Sequence, residues 1–491
     1  ATLWGPEAEA EAAIRLGWLD TFRRSRELLP RLTALGAELA AEGLDHVVLS
    51  GMGGSSLAPE VICRSAGVGL TVLDTTDPGQ VRAAIADRLS QTVVVVSSKS
   101  GGTAETDSHR RAYLDAFIHS GLSEVDAGRR FVIVTDPGSP FVDTAEQMGA
   151  REVFLADPNV GGRYSALTAF GLVPCALAGA DVEQLLVDAE TLAGQLAEDN
   201  PALLLGCLLG SQASSGRDKL LLADNESGIT GLGDWAEQLI AESTGKQARG
   251  ILPVVVESPT AAVSDAPDTM TVLSGQSAAG AAATVSGPLG AQFLGWEYAT
   301  AVAGRIIGIN PFDQPNVTES KNNTGKLLES GLPDSSPAMT FGAVEVYADP
   351  ALLGSAGSLS EVLEAVVAAI PDRGYLAIMA YLDRWADASA ADLRHVLAQR
   401  TQRPVTFGWG PRFLHSTGQF HKGGPPVGAF LQITGAVAAD LAIPGQDYTF
   451  AGLQAAQAAG DLQALTGRDL PAVRLHLTDR PAGLGQLLGA G

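Results

Sequence analysis

The chain has little of several things, and each scarcity narrows what it can be. Three cysteines in 491 residues, Cys63, Cys175 and Cys207, are widely spaced with no Cys-x-x-Cys pair. That excludes a disulfide framework and fits buried thiols in a reducing compartment. Only seven histidines are present, and no His or Cys cluster has metal-ligand spacing. Basic charge is short as well: 32 Lys and Arg face 55 Asp and Glu, for a net charge of −23. Nucleic acid and anionic membranes are thereby excluded as partners, and a small anionic substrate requires basic side chains gathered locally. No uncharged apolar run is long enough for a bilayer, and no signal-peptide pattern opens the sequence. The expected location is cytoplasmic.

What is present begins with length, which is too great for one ordinary core and predicts two domains plus peripheral segments. The most informative stretch is Thr92 to Thr106. Val93 to Val96 is a β-branched run suited to a strand buried on both faces of a parallel sheet. It empties into Ser97, Ser98, Lys99, Ser100, Gly101, Gly102 and Thr103, after which a helix is expected to start. Hydroxyls, free N–H groups at a helix start and one cation form an anion cradle suited to phosphate without a metal. A plain Ser-Gly turn is the other reading of that loop.

Residues 1 to 43 carry helical spacing and predict amphipathic helices outside the first sheet. The strand from His46 to Leu49 leads into Ser50-Gly51-Met52-Gly53-Gly54-Ser55-Ser56, a second glycine-and-hydroxyl loop before a helix. It lacks the Gly-Lys-Ser/Thr ending of a Walker loop, and Ser56 stands where a dinucleotide fingerprint needs glycine. Strands at Leu70 to Leu73 and Phe131 to Val134 complete the pattern of a doubly wound parallel sheet, whose ligands bind outside the carboxyl ends of the strands. The two glycine loops should therefore share one crevice. Arg163, behind Gly161 and Gly162, either caps a structural carboxylate or projects into that crevice.

A helical linker from about 180 to 215 precedes a second round of strands at Leu220 to Ala223, Pro253 to Glu257 and Met270 to Leu273. The resulting division is 1–43 helical, 44–185 first α/β domain, and 186–491 second α/β domain with an insertion and a C-terminal part. Within the second, a helix stopped by Gly245 carries Gln238 and Glu242 four apart on one face, as surface decoration or as part of a site. An apolar helix covers 288 to 308, the chain breaks at Asn310 to Pro315, and Lys321 follows Gln314 by seven residues. An alternating run from 337 to 349 suggests an antiparallel hairpin; Tyr375 to Leu382, Val405 to Trp409 and a final Ala472 to Leu477 return to strands. His415 stands in a Gly/Ser/Thr-rich bend after a strand, a position open to substrate.

Together these residues resemble the phosphoglucose isomerase family, which is built from two sugar-isomerase domains. Gly51-Met52-Gly53-Gly54-Ser55 is similar to its Gly-x-Gly-Gly-Ser loop, and Ser98-Lys99-Ser100-Gly101-Gly102-Thr103 to its Ser-Lys-Thr-x-x-Thr phosphate loop. Gly161-Gly162-Arg163-Tyr164-Ser165 resembles Gly-Gly-Arg-Phe-Ser, Glu242-Ser243-Thr244-Gly245-Lys246 resembles Glu-Ser-Asn-Gly-Lys, and Gln314 with Lys321 reproduces the spacing of the closing helix. The nearest resemblance is to the isomerase half of transaldolase–isomerase fusions. Ser100 replaces the usual Thr and Thr244 the usual Asn. The family's ring-opening histidine normally precedes the Gln-to-Lys helix, but Ser286 to Gly290 holds none, and the similar motif around His415 comes later in the chain.

The resemblance implies two doubly wound, mostly parallel α/β sugar-isomerase domains with peripheral helices, and reversible isomerisation of glucose 6-phosphate and fructose 6-phosphate. It implies Glu242 as the base that serves C1 and C2, Arg163 as the cation facing a cis-enediolate, and His415 and Lys321 as the ring-opening pair. Ser98, Lys99, Ser100 and Thr103 would hold the phosphate, Gln238 and Gln314 would line the sugar, and Gly54 and Ser55 would also contact the substrate. No redox cofactor or metal is implied. A homodimer is, with His415 far from its own Glu242 and near that of a two-fold partner, and association with a transaldolase is a further expectation. An isomerase that also accepts mannose 6-phosphate, and a non-catalytic sugar-phosphate-binding regulator, are the alternatives.

Overall fold

Val93, Val94, Val95 and Val96 are fully buried, and the reason is the layering around them. The computed structural model describes residues 2–261, 266–315, 317–332 and 335–491. The valines lie in β3 (Thr92–Ser97) of a parallel sheet that also contains β1 (His46–Gly51), β2 (Thr71–Leu73), β4 (Phe131–Thr135) and β5 (Glu152–Leu155). Strand order is β2-β1-β3-β4-β5. Successive side chains of a strand point to opposite faces. Accordingly Val93 and Val95 enter one apolar cluster and Val94 and Val96 another, each burial contributing roughly 1.5–3 kcal/mol. The N-terminal helices add Trp18, Phe22, Leu32, Leu35 and Leu39 to the first cluster.

The strands expected to form one second sheet divide between two. β6 (Lys219–Asn225), β7 (Leu252–Val256), β8 (Thr269–Gly275) and β9 (Ala283–Val285) form a parallel sheet in the order β7-β6-β8-β9. The third sheet holds β10 (Met339–Phe341), β11 (Val344–Tyr347), β12 (Tyr375–Tyr381), β13 (Val405–Trp409), β14 (Gly428–Gly435) and β15 (Ala472–Leu477), in the order β10-β11-β15-β14-β12-β13. β10 and β11 are the antiparallel hairpin expected at 337 to 349, and Ala472–Leu477, expected to close the second domain, instead runs between β11 and β14 of this third sheet.

The four-stranded sheet is the middle layer. Leu220 and Leu222 of β6 share a cluster with Val47 and Val93 of the first sheet. Leu221 and Ala223, on the other face, share one with Tyr375, Ala377, Met379 and Tyr381 of β12. Five helices set the site: α1 (Ala104–His119), α2 (Leu232–Thr244), α3 (Leu289–Ile307), α4 (Val317–Ser330) and α5 (Phe450–Thr466). Among the described residues no helix is long and apolar enough to cross a membrane.

Candidate active site

The loop after β1 is shaped by what crowds it. Gly53 has φ +56°, and a β-carbon there would lie 2.6 Å from Gln238 Nε2 and 2.9 Å from the His415 carbonyl oxygen. One on Gly54 would lie 2.0 Å from the Gly162 carbonyl oxygen. Only glycine lets this loop meet the Arg163 turn, α2 and the His415 loop at once. Ser55, in the same turn, is partly exposed.

At the end of α2, Glu242 is 8% exposed. Gln238, one turn earlier, donates from Nε2 to Glu242 Oε2 at 3.1 Å and to the His415 carbonyl at 2.7 Å. The shared-face reading of Gln238 and Glu242 was correct, and the face is inward. Arg163 is buried, with Nη1 3.5 Å from Glu242 Oε1. Its other donors reach Ser243 Oγ at 2.7 Å, Gln314 Oε1 at 2.9 Å and the carbonyls of Pro311 and Asp313 at 2.7 and 3.0 Å. The guanidinium is thus locked beside the carboxylate before any ligand arrives, which is how a fixed charge avoids reorganisation. Lys246 donates to Asp313 Oδ1 at 2.6 Å. Burial, then the Arg163 charge, hold its ammonium down at about 8 against the opposing pull of Asp313.

His415 lies in the short turn Arg412–His415 after β13. It was expected far from its own Glu242. Instead its carbonyl and Glu242 share the Gln238 amide within one chain, because the third sheet packs directly on the middle layer. Its Nε2 donates to Glu105 Oε1 at 3.2 Å. Gln457 of α5 donates to the same oxygen at 2.7 Å, and Thr76 donates to Gln457 at 2.7 Å. Burial pushes the Glu105 carboxyl up, but the hydrogen bond and charge of His415, with a further contribution from Lys321, outweigh it and hold it at about 2. Lys321, exposed on α4, is therefore close enough for its charge to be felt at this pair. Glu105, Gln457 and Ser243 were missed in the sequence. Glu105 carried one signal: an acid in the first turn of the helix behind the hydroxyl loop.

The hydroxyls of that loop are paired mainly with one another. Ser98 Oγ and Thr103 Oγ1 are 3.1 Å apart, and Thr103 begins α1 without using its side chain as a cap. Gly101, at φ +69°, lies against Ser139 and Phe141, with no room for a β-carbon. Ser100 is exposed and accepts from the Gly102 N–H at 3.3 Å. Lys99, expected to face an anion, has its ammonium paired with Asp136. Among the described residues no three His, Cys, Asp or Glu side chains come together as a metal site.

Residues 31–263 match the family model for phosphoglucose isomerase. Over 220 residues the chain is 36% identical to a glucose-6-phosphate isomerase of Thermosynechococcus vestitus, covering 41% of this chain and 40% of that protein. A probable glucose-6-phosphate isomerase of Haloarcula marismortui is 33% identical over 43% of this chain and 49% of its own length. The matches thus span about half the length of these relatives or less. Among solved structures, a hypothetical protein of Thermus thermophilus aligns with TM-score 0.57 and 25% identity over 66% of this chain and 95% of its own. A glucose-6-phosphate isomerase of Chlamydia trachomatis shares the fold, with TM-score 0.55 and 21% identity over 63% of this chain and 75% of its own. Through residues 31–263 the chain is similar to the phosphoglucose isomerase family, a likeness that extends over a little under half of its length.

Proposed function

We propose that the chain interconverts glucose 6-phosphate and fructose 6-phosphate. One observation carries this reading: the Gln238 amide joins Glu242 to the His415 carbonyl, Arg163 lies 3.5 Å from the same Glu242 carboxylate, and the His415 ring is paired with Glu105. Phosphate binding alone would need none of the three.

The phosphate rests on Ser98, Ser100, Thr103 and the N–H groups that open α1, with Gly54 and Ser55 lining the adjoining turn. Its sugar arrives as a ring. His415, oriented by Glu105, and Lys321 exchange the protons at O5 and O1 that open it. Glu242 then takes the C2 proton and returns it to C1, or the reverse, through a cis-enediolate whose negative charge faces Arg163. Gln238 and Gln314 keep base and cation in register. Action as a homodimer, association with a transaldolase and a cytoplasmic setting remain part of the proposal.

A coupled assay on fructose 6-phosphate tests it, with mannose 6-phosphate alongside to define the substrate range. Turnover is expected for fructose 6-phosphate, and His415→Ala is expected to cripple it while sparing exchange of the C2 proton on an open-chain analogue. A wild-type chain that binds the sugar phosphate without turnover would overturn the proposal in favour of a binding protein.

A further inference from the structure

The third sheet has a crevice of its own. β12 takes β13 on one side, then β14 and β15 on the other, so the direction of winding changes between β12 and β14. Open α/β sheets bind ligands outside the carboxyl ends of the strands at such a point. There, Tyr381 ends β12, Gly435 ends β14 and His476 lies near the end of β15, and all three line a cavity of about 430 Å³. That volume suits a small metabolite.

Three of the residues that line the cavity carry unused hydrogen-bonding groups. Tyr381 is 1% and Gln454 5% exposed, yet Tyr381 Oη and Gln454 Nε2 have no partner among the described residues, nor does Arg474 Nε. Buried polar groups are nearly always satisfied, so three at one cavity imply something that satisfies them. Each can donate. Arg474 is held in place by the Tyr347 ring, 4.1 Å below its guanidinium carbon, and by Ser335 Oγ at 3.3 Å. Glu345, engaged by the Tyr347 hydroxyl at 2.8 Å, is the acceptor in the lining. On a chain of net charge −23, an anion is held only where a cation is set for it.

We propose that this cavity is a second ligand site, for a small hydroxylated anion whose phosphate or carboxylate meets Arg474 and Gln454 and whose hydroxyl meets Glu345. The site is separate from the isomerase reading and does not depend on it. Gln457, three residues after Gln454 on α5, donates to Glu105, so the cavity and the His415 network share one helix.

Calorimetric titration of the full chain with inorganic phosphate and, separately, with D-glycerate tests the proposal and decides between the two anions. At least one probe is expected to bind at a site that Thr103→Val leaves intact. Arg474→Gln and Gln454→Leu should each weaken it by about tenfold or more, as loss of a charged hydrogen bond does, and Arg474→Lys should restore part of the affinity. Circular dichroism and melting establish that each variant folds. The proposal fails if all binding of both probes vanishes with Thr103→Val, or if folded Arg474→Gln and Gln454→Leu variants both bind as the parent does.

Discussion

Replacing Glu105 by Gln gives the sharpest measure of how the site is held together. The side chain is 6% exposed, and its carboxyl sits at about 2 against an ordinary 4.5. At 1.36 kcal/mol per pH unit, that gap is worth about 3 kcal/mol of stability at neutral pH. The sign follows from the folded value being the lower one: the contribution is present above pH 4.5 and is lost as pH falls toward 2. At pH 3 the same linkage leaves about 1 kcal/mol. Urea unfolding of parent and Glu105→Gln, followed by two probes whose transitions coincide, should show a deficit of about 3 kcal/mol at pH 7 that shrinks to about 1 at pH 3. A deficit under about 0.5 kcal/mol at pH 7, or one unchanged at pH 3, would refute the claim that the His415 pairing dominates this carboxyl.

Glu242→Gln should preserve fructose 6-phosphate binding and reduce turnover by roughly 10² to 10⁴; isothermal binding and the coupled assay separate the two, and a loss of tenfold or less removes Glu242 as the base. Gly53→Ala puts a β-carbon 2.6 Å from Gln238 Nε2 in a left-handed backbone, so kcat should fall by roughly tenfold to a hundredfold through displacement of that amide; unchanged kcat would mean the contact is slack. For Lys246, buried beside Arg163 and lowered to about 8 from 10.5, the unfolded chain binds more protons between those values. Stability should therefore rise with pH from about 8 to 10.5, and Lys246→Met should abolish that slope in denaturant titrations across the range.

Much of the first sheet was legible because its strands are short apolar runs ending in glycine or hydroxyl loops, and such runs have one reading in an α/β chain. The third sheet was harder. β14 was not seen as a strand, because Gly428 and Gly435 bound it and Gln432 interrupts it; the structure buries Gln432 fully and meets its amide with the Ala458 carbonyl at 2.9 Å. Without β14, β12 and β15 read as additions to the middle sheet. In the candidate site, residues set in loops of unusual composition, such as Arg163 and His415, were visible, whereas Glu105 looks like any acid at a helix start. Lys99 shows a partner that sequence reading could not supply: Asp136, thirty-seven residues on, pairs with its ammonium.

The middle sheet has one neighbour made before it and one made after. As the chain leaves the ribosome, Leu220 and Leu222 find the first sheet already complete. Leu221, Ala223, Leu252 and Val254 on the opposite face wait for β12 and for Phe430 of β14. At about 5–20 residues per second, that face stays uncovered for on the order of ten seconds or more. During synthesis the chain therefore passes through a stage in which a finished N-terminal half carries an open apolar wall. That stage, rather than the finished protein, is where chaperone dependence and aggregation of this chain should concentrate.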